Sequence, residues 1–330
     1  LGECNIDETG GKSHDQMLVV NYSNPGAFAG LARAAEAVHR HGAAISIELN
    51  HGGPLASPQF NGGVLPMGPV AYTRADGVQV RAMTRDDMDR VADEFADAAE
   101  ILRDAGFDMV QVHLGHFWLL HQFLSPHFNT RDDEFGGTVE NRARFPLMVL
   151  DRVRGRVGAR FPIDMRISAM ENVPGGYDID ETVKFAKLLA EKADIVNVSC
   201  GGNVREANQR MVTDVFHERG CNVPLAEAVK KAVDIPVSAI GGLCYPAQIE
   251  ELLEKGSADM VFMGRALIAD PDLPKKILDG RENEISHCLK CLACGDTLYS
   301  MSKRMKCSVN PALVYGDKKP DKAETQKRVL

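Results

Sequence analysis

No stretch of this 330-residue chain approaches the roughly 20 consecutive apolar residues needed to span a bilayer, so nothing in it reads as a membrane span. It also lacks a basic excess. Thirty-eight Lys and Arg stand against 46 Asp and Glu, a net charge of −8, which argues against nucleic acid and against an anionic membrane as partners. Aromatics are few, at 6%, and with 44% apolar and 25% charged residues the composition is that of a soluble globular protein. No G-x-G-x-x-G follows the first apolar strand, which disfavours a dinucleotide-binding sheet. There is no internal repeat and no low-complexity tract. Four cysteines (Cys4, Cys200, Cys221, Cys244) are scattered rather than framed for disulfides, which fits a reduced, cytoplasmic setting.

What the chain does have is a rhythm of short apolar strand, loop and amphipathic helix. Ala43–Leu49, Met109–His113, Ile163–Ile167, Ile195–Val198, Ile235–Ala239 and Met260–Met263 read as buried parallel strands. Helices are punctuated between them. Asn24-Pro25 starts one that runs to about Gly42. Thr84, with Asp87 three residues on, caps another that ends at Gly106. Asp180 opens a third, and Pro246 sits in the first turn of a fourth that closes at Gly256. Six strands alternating with helices predict a parallel α/β protein, either doubly wound or a (β/α)8 TIM barrel. The missing G-x-G-x-x-G favours the barrel, incomplete by two strands that would precede Leu1.

In a barrel the chemistry collects where strands end. Those ends carry Glu48-Leu-Asn-His51, His113-Leu-Gly-His116, Arg166-Ile-Ser168, Ser199-Cys-Gly-Gly202, Ile240-Gly-Gly242 and Gly264-Arg265. The Gly-containing loops after the last two strands let backbone N–H groups approach a phosphate closely, and Arg265 adds charge. His113 and His116 could bind a carbonyl oxygen, shuttle protons or ligate metal. Arg166 is costly to bury unpaired and suits an anionic group. Beyond the strand rhythm stand Cys288, Cys291, Cys294 and Cys307, spaced C-x2-C-x2-C-x12-C. Three closely spaced cysteines with a distant fourth are the usual wrapping of an iron–sulfur cluster. Structural zinc is the rival, though it usually takes two separated C-x2-C pairs. A cluster beside a phosphate site makes flavin mononucleotide the expected cofactor and a redox enzyme the expected class.

The segment His113–Phe145, HLGHFWLLHQFLSPHFNTRDDEFGGTVENRARF, resembles the old yellow enzyme family of FMN oxidoreductases. There the pattern is H-x-x-[NH]-x-Y-L-x-x-Q-F-L-x-P-x-x-N-x-R-x-D-x-[YF]-G-G-x-x-E-N-R-x-R-F. With the cysteines, the match narrows to the iron–sulfur branch of 2,4-dienoyl-CoA reductase, trimethylamine dehydrogenase and bile-acid enone reductases. The resemblance implies that His113 and His116 hold the substrate's carbonyl oxygen and that Arg166 lies on the flavin's pyrimidine edge. It implies that Gly241, Gly242, Gly264 and Arg265 hold the flavin phosphate. Two residues depart from the pattern. Glu48 replaces a flavin-bonding Gln, so its carboxyl must be protonated or turned away. Trp118 replaces a proton-donating Tyr, and Tyr177 is the candidate substitute.

The expected organisation is an FMN-binding barrel over residues 1–280, a 4Fe–4S segment over 281–315 and a linker over 316–330. That linker would lead into an FAD- and NAD(P)H-binding part, the chain being expected to be a piece of a longer protein. The expected reaction is reduction of an activated C=C in a small-molecule enone or enoyl thioester. Electrons would pass from NAD(P)H through FAD and the cluster to FMN. Amine oxidation at FMN and a non-catalytic zinc scaffold are the alternatives, and a homo-oligomer is left open.

Overall fold

Seven strands, not six, make up the central sheet of the computed structural model, which describes residues 2–14, 17–203, 210–295 and 305–315. They are β1 (Glu3–Asn5), β2 (Ser46–Asn50), β3 (Met109–Leu114), β4 (Ile163–Ser168), β5 (Ile195–Ser199), β6 (Val237–Ile240) and β7 (Met260–Phe262). All pair in parallel and in sequence order. Consecutive parallel neighbours joined through helices are the winding of a TIM barrel. The extra strand, β1, pairs Glu3 with Glu48 and Asn5 with Asn50. It escaped the sequence pattern because only Cys4, of its three residues, faces an apolar layer. The strand expected from Ala43 to Leu49 is therefore second in the sheet, and it starts at Ser46.

Outward-facing residues of the strands are apolar and pack under the helices: Ile47, Leu49, Val110, Val112, Ile163, Met165, Val196 and Val198 are all at most 1% exposed. The inward row is polar instead. Glu3, Glu48, Gln111 and Asp164 stand side by side in register, and His113, Arg166, Asn197 and Ser238 form the next row. A barrel interior is ordinarily filled by branched apolar side chains, so this one is arranged for something other than packing alone. The last strand, β7, is not buried as expected. Met260 and Phe262 are 37% and 41% exposed, as suits a strand at the end of the sheet.

The helices begin where their caps dictate. Helix α1 (Pro25–His39) and helix α7 (Pro246–Glu254) carry Pro in the first turn, where its missing N–H costs nothing. Helix α2 (Arg85–Asp104) opens with a full capping box between Thr84 and Asp87. Helix α4 spans Val139–Val157, and α5 spans Ile179–Ala190. The N-cap of α5 is Asp178, two residues before the expected Asp180, and its carboxylate accepts the N–H groups of Asp180 and Glu181. Between β3 and α4 lies the short α3 (Leu119–Leu124), and α6 (Val223–Lys230) precedes β6. Two short helices, α8 (Arg265–Ala269) and α9 (Leu273–Leu278), follow β7 and lead to the cysteines. No helix among the described residues is long and apolar enough to cross a membrane. The expected linker, 316–330, lies outside the described residues.

Candidate active site

The two histidines expected at the site meet. His116 Nδ1 lies 3.2 Å from His113 Nε2, and the rings stand edge to face. Hydrogen bonds fix which nitrogens carry protons. The Gly115 N–H donates to His113 Nδ1 (3.2 Å), so His113 holds its proton on Nε2 and presents it to His116 Nδ1. His116 Nε2 then donates to the Ser199 hydroxyl, 2.8 Å away. Both rings are buried, at 1% and 6% exposure. Burial first, then the Arg166 charge, brings His113 down to about 4 against the pull of Glu48. Burial and Arg166 likewise push His116 well below the ordinary histidine range. Both imidazoles are thus neutral near pH 7, and each is able to donate one N–H.

Glu48 is paired with Arg166. Its Oε1 accepts from Arg166 Nη1 at 3.1 Å and lies 3.7 Å from His113 Nε2. Burial would raise its carboxyl, but its basic surroundings outweigh that and hold it below the usual range. Arg166 Nε remains buried without a partner among the described residues, and so does Asn50 Oδ1. An orphaned donor and an orphaned acceptor in one polar interior fit the pyrimidine edge of a flavin, which carries both kinds of group.

Two further carboxyls face the same interior. Burial, and then Glu48, push Glu3 up to about 7. Burial also pushes Asp164 up to about 7, with Glu48 adding to it against the hydrogen bond from Gln111. Asp164 therefore stays protonated in the fold while the unfolded chain ionises near pH 4. Its contribution is present below that pH and is lost as the pH rises towards 7. Asp164→Asn keeps an oxygen for Gln111 and removes the titration. Thermal melts should then show the variant above the parent at pH 8, with the difference shrinking towards pH 4. A constant difference across that range would show that Asp164 does not titrate in this way.

The loops after β3, β4 and β5 are tied to each other. His116 N–H donates to Ser168 Oγ (3.0 Å), which itself donates to the Gly201 carbonyl (2.7 Å). Gly201 N–H reaches the Met170 carbonyl (2.7 Å), and Asn203 N–H reaches that of His116 (3.1 Å). These bonds hold His116 (φ 58°) and Phe117 (φ 66°) in the left-handed region, which is costly for a bulky residue. Gly202 is required there, since a Cβ would lie 2.4 Å from the Phe117 ring. Tyr177 belongs to this buttress and is not brought to the histidine pair. Its hydroxyl donates to the Ser168 carbonyl (2.8 Å) beside the buried His121–Glu171 pair. Burial, then Glu171, raise it well above a phenol's ordinary value, which is the wrong direction for an acid. Trp118 is buried at the start of α3.

The expected phosphate residues also converge. Gly241 (φ 138°) and Gly242 (φ 70°) turn the chain after β6. Arg265 Nη1 and Nη2 donate to the Thr213 carbonyl (2.6 Å) and hydroxyl (3.0 Å). That hydroxyl would lie 3.3 Å from a Cβ at Gly242, so the arginine fork ends beside the glycine turn. Gly264 directly precedes Arg265, and its α-carbon faces open space.

All four cysteines line one cavity, together with Arg265 and Ile268. Lys290 (φ 55°) and Leu292 (φ 62°) take left-handed conformations between them, and such turns let closely spaced thiols face one centre. Among the described residues, no three of these sulfurs lie within 4.8 Å of one another. Four thiolates on a single zinc, each about 2.3 Å from it, would stand only about 3.8 Å apart.

Residues 2–284 match the model of the NADH:flavin oxidoreductase / NADH oxidase family. The chain belongs to that family. The NADH oxidase of Thermoanaerobacter brockii is 37% identical over 310 residues, covering 92% of this chain and 47% of that protein. The cinnamate reductase of Clostridium sporogenes is 32% identical over 318 residues, covering 89% and 47%. Histamine dehydrogenase from Rhizobium sp. 4-9 superposes with a TM-score of 0.86 at 29% identity, over 95% of this chain and 45% of that one. The chain thus spans about half the length of these relatives. The resemblance read from residues 113–145 thus holds over nearly the whole chain. The sequence placed Ser168 and Ser199 at strand ends without giving them a role and left Thr213 unread, and all three hold the expected residues in place. Their only signal was position, two of them at strand ends.

Proposed function

We propose that this flavin oxidoreductase reduces an activated C=C in a small enone or enoyl thioester. NAD(P)H would be the source of electrons, passed through an FAD-bearing part and a 4Fe–4S cluster to FMN. The observation that carries the reading is the pair of neutral, buried histidines at the end of β3. When bound, FMN supplies the hydride for the β-carbon. Its pyrimidine edge would lie on Arg166, and its phosphate at Gly241, Gly242, Gly264 and Arg265. Cys288, Cys291, Cys294 and Cys307 would hold the cluster, which supplies one-electron transfer. Four cysteines lining one cavity, in the closely spaced three-plus-one pattern, support the cluster reading.

The chain's own residues act on the substrate oxygen. His113 Nε2–H is a donor whose tautomer Gly115 fixes, so it can turn from His116 to a carbonyl oxygen. His116 can join it by carrying its proton on Nδ1, since the Ser199 hydroxyl can donate to Nε2 as readily as accept. Two neutral donors in a dry pocket stabilise the negative charge that builds on that oxygen. They need not lose a proton to do so.

The likeness to histamine dehydrogenase favours one second reading, oxidation of an amine with electrons leaving through the cluster. Anaerobic mixing separates the two. Chemically reduced holoenzyme should be reoxidised rapidly by an enone, with the flavin absorbance returning. Bleaching of the oxidised enzyme by amines, without any turnover of enones, would establish the second reading instead.

A further inference from the structure

We propose that Lys290, carried on the cysteine loop, is a ligand of the flavin phosphate, so that one loop serves both redox centres. This rests on the FMN reading above. Lys290 lies between Cys288 and Cys291, a position that invites a solvent-exposed side chain, yet it is 4% exposed. Its chain runs inward to the glycine turn after β6. Its Cδ is the atom nearest to a Cβ built on Gly242, at 3.1 Å, and the Thr213 hydroxyl comes next at 3.3 Å. The Arg265 fork closes on the same threonine. Two cations, one from α8 and one from the cysteine loop, thus meet at Thr213 beside a turn whose glycines leave the backbone bare.

The ammonium of Lys290 donates to the His217 carbonyl, which leaves it two further N–H donors. The loop is fastened at its first cysteine too. Arg219 Nη2 donates to the Cys288 carbonyl (2.9 Å), and the Arg219 backbone lies 3.9 Å from the same point above Gly242. Arg265 itself lines the cysteine cavity. A left-handed lysine (φ 55°) is a costly conformation that glycine would adopt freely, so the amine is what distinguishes this residue.

The test compares flavins with and without a phosphate. Holoenzyme is stripped of flavin, and FMN and riboflavin are titrated into the parent, Lys290→Gly and Lys290→Met, following quenching of flavin fluorescence. A charge-assisted bond to phosphate predicts that both variants lose about tenfold to a hundredfold in FMN affinity. Riboflavin affinity should stay unchanged, and Lys290→Arg should restore most of the preference for FMN. Glycine relieves the loop's strain, so a weakening confined to FMN cannot come from a distorted loop. Equal weakening for both flavins, or an unaltered preference for FMN, overturns the proposal. A parent that binds neither flavin overturns the FMN reading itself, and this proposal with it.

Discussion

Replacing His116 by glycine is expected to slow enone reduction by about a hundredfold or more, the cost of one donor to a developing oxyanion. Reduction of the flavin by NAD(P)H should be nearly unchanged, because no substrate oxygen takes part in that half of the cycle. Glycine is the informative choice, since His116 sits at φ 58°, where alanine would add strain unrelated to the imidazole. His116→Asn is the companion. Asparagine tolerates the left-handed conformation and offers an amide N–H, so it should recover most of the rate. Binding of phenols, which resemble the enolate, should weaken in parallel in the glycine variant. Because burial keeps both rings neutral, with His113 titrating only at about 4, the histidines should impose no fall in rate between roughly pH 6 and 9. Stopped-flow measurement of the two half-reactions decides the matter. Equal slowing of both would make the imidazole structural.

Cys294→Ser carries the other large effect. Iron should drop from about four atoms per chain to almost none, since a 4Fe–4S centre needs all four thiolates. Far-UV circular dichroism should hardly change, because the cysteines follow α9 and lie outside the strand and helix alternation. Electron delivery from NAD(P)H to the flavin should cease, whereas a chemical reductant that reaches the flavin directly should still support enone reduction. Stoichiometric zinc with no iron in the parent enzyme would remove the cluster from the scheme.

The barrel was legible where the physics is local. Pro25, Pro246 and the Thr84–Asp87 box placed three helix starts, because caps and prolines act within one turn. Five strands, β2 to β6, showed as apolar runs because their outward faces are buried under helices, and β7 showed by its apolar residues alone. Strand β1 did not show, since Glu3 and Asn5 face the polar interior and three residues are too few for an alternation. His113, His116 and Arg166 were readable from their places at strand ends, as the barrel requires. Their partners were not. Ser199 meets His116 across 83 residues of chain, and nothing in a serine's surroundings in sequence announces that. Lys290 was invisible for a different reason. Its direction follows from a left-handed backbone, which a lysine gives no sign of adopting.

The hydroxyl of Ser168 has a bearing on attempts to redirect this enzyme to new substrates. Loop exchange is an appealing way to reshape a barrel's mouth, because the loops are usually separate pieces on a common frame. Here the segments after β3, β4 and β5 behave as one graft, since Ser168 and its neighbours cross-link all three. Transplanting any single one would strand buried donors and acceptors on the other two, at roughly 1–3 kcal/mol each. A library that varies these loops should therefore exchange all three from one parent, and keep the Ser168 position fixed.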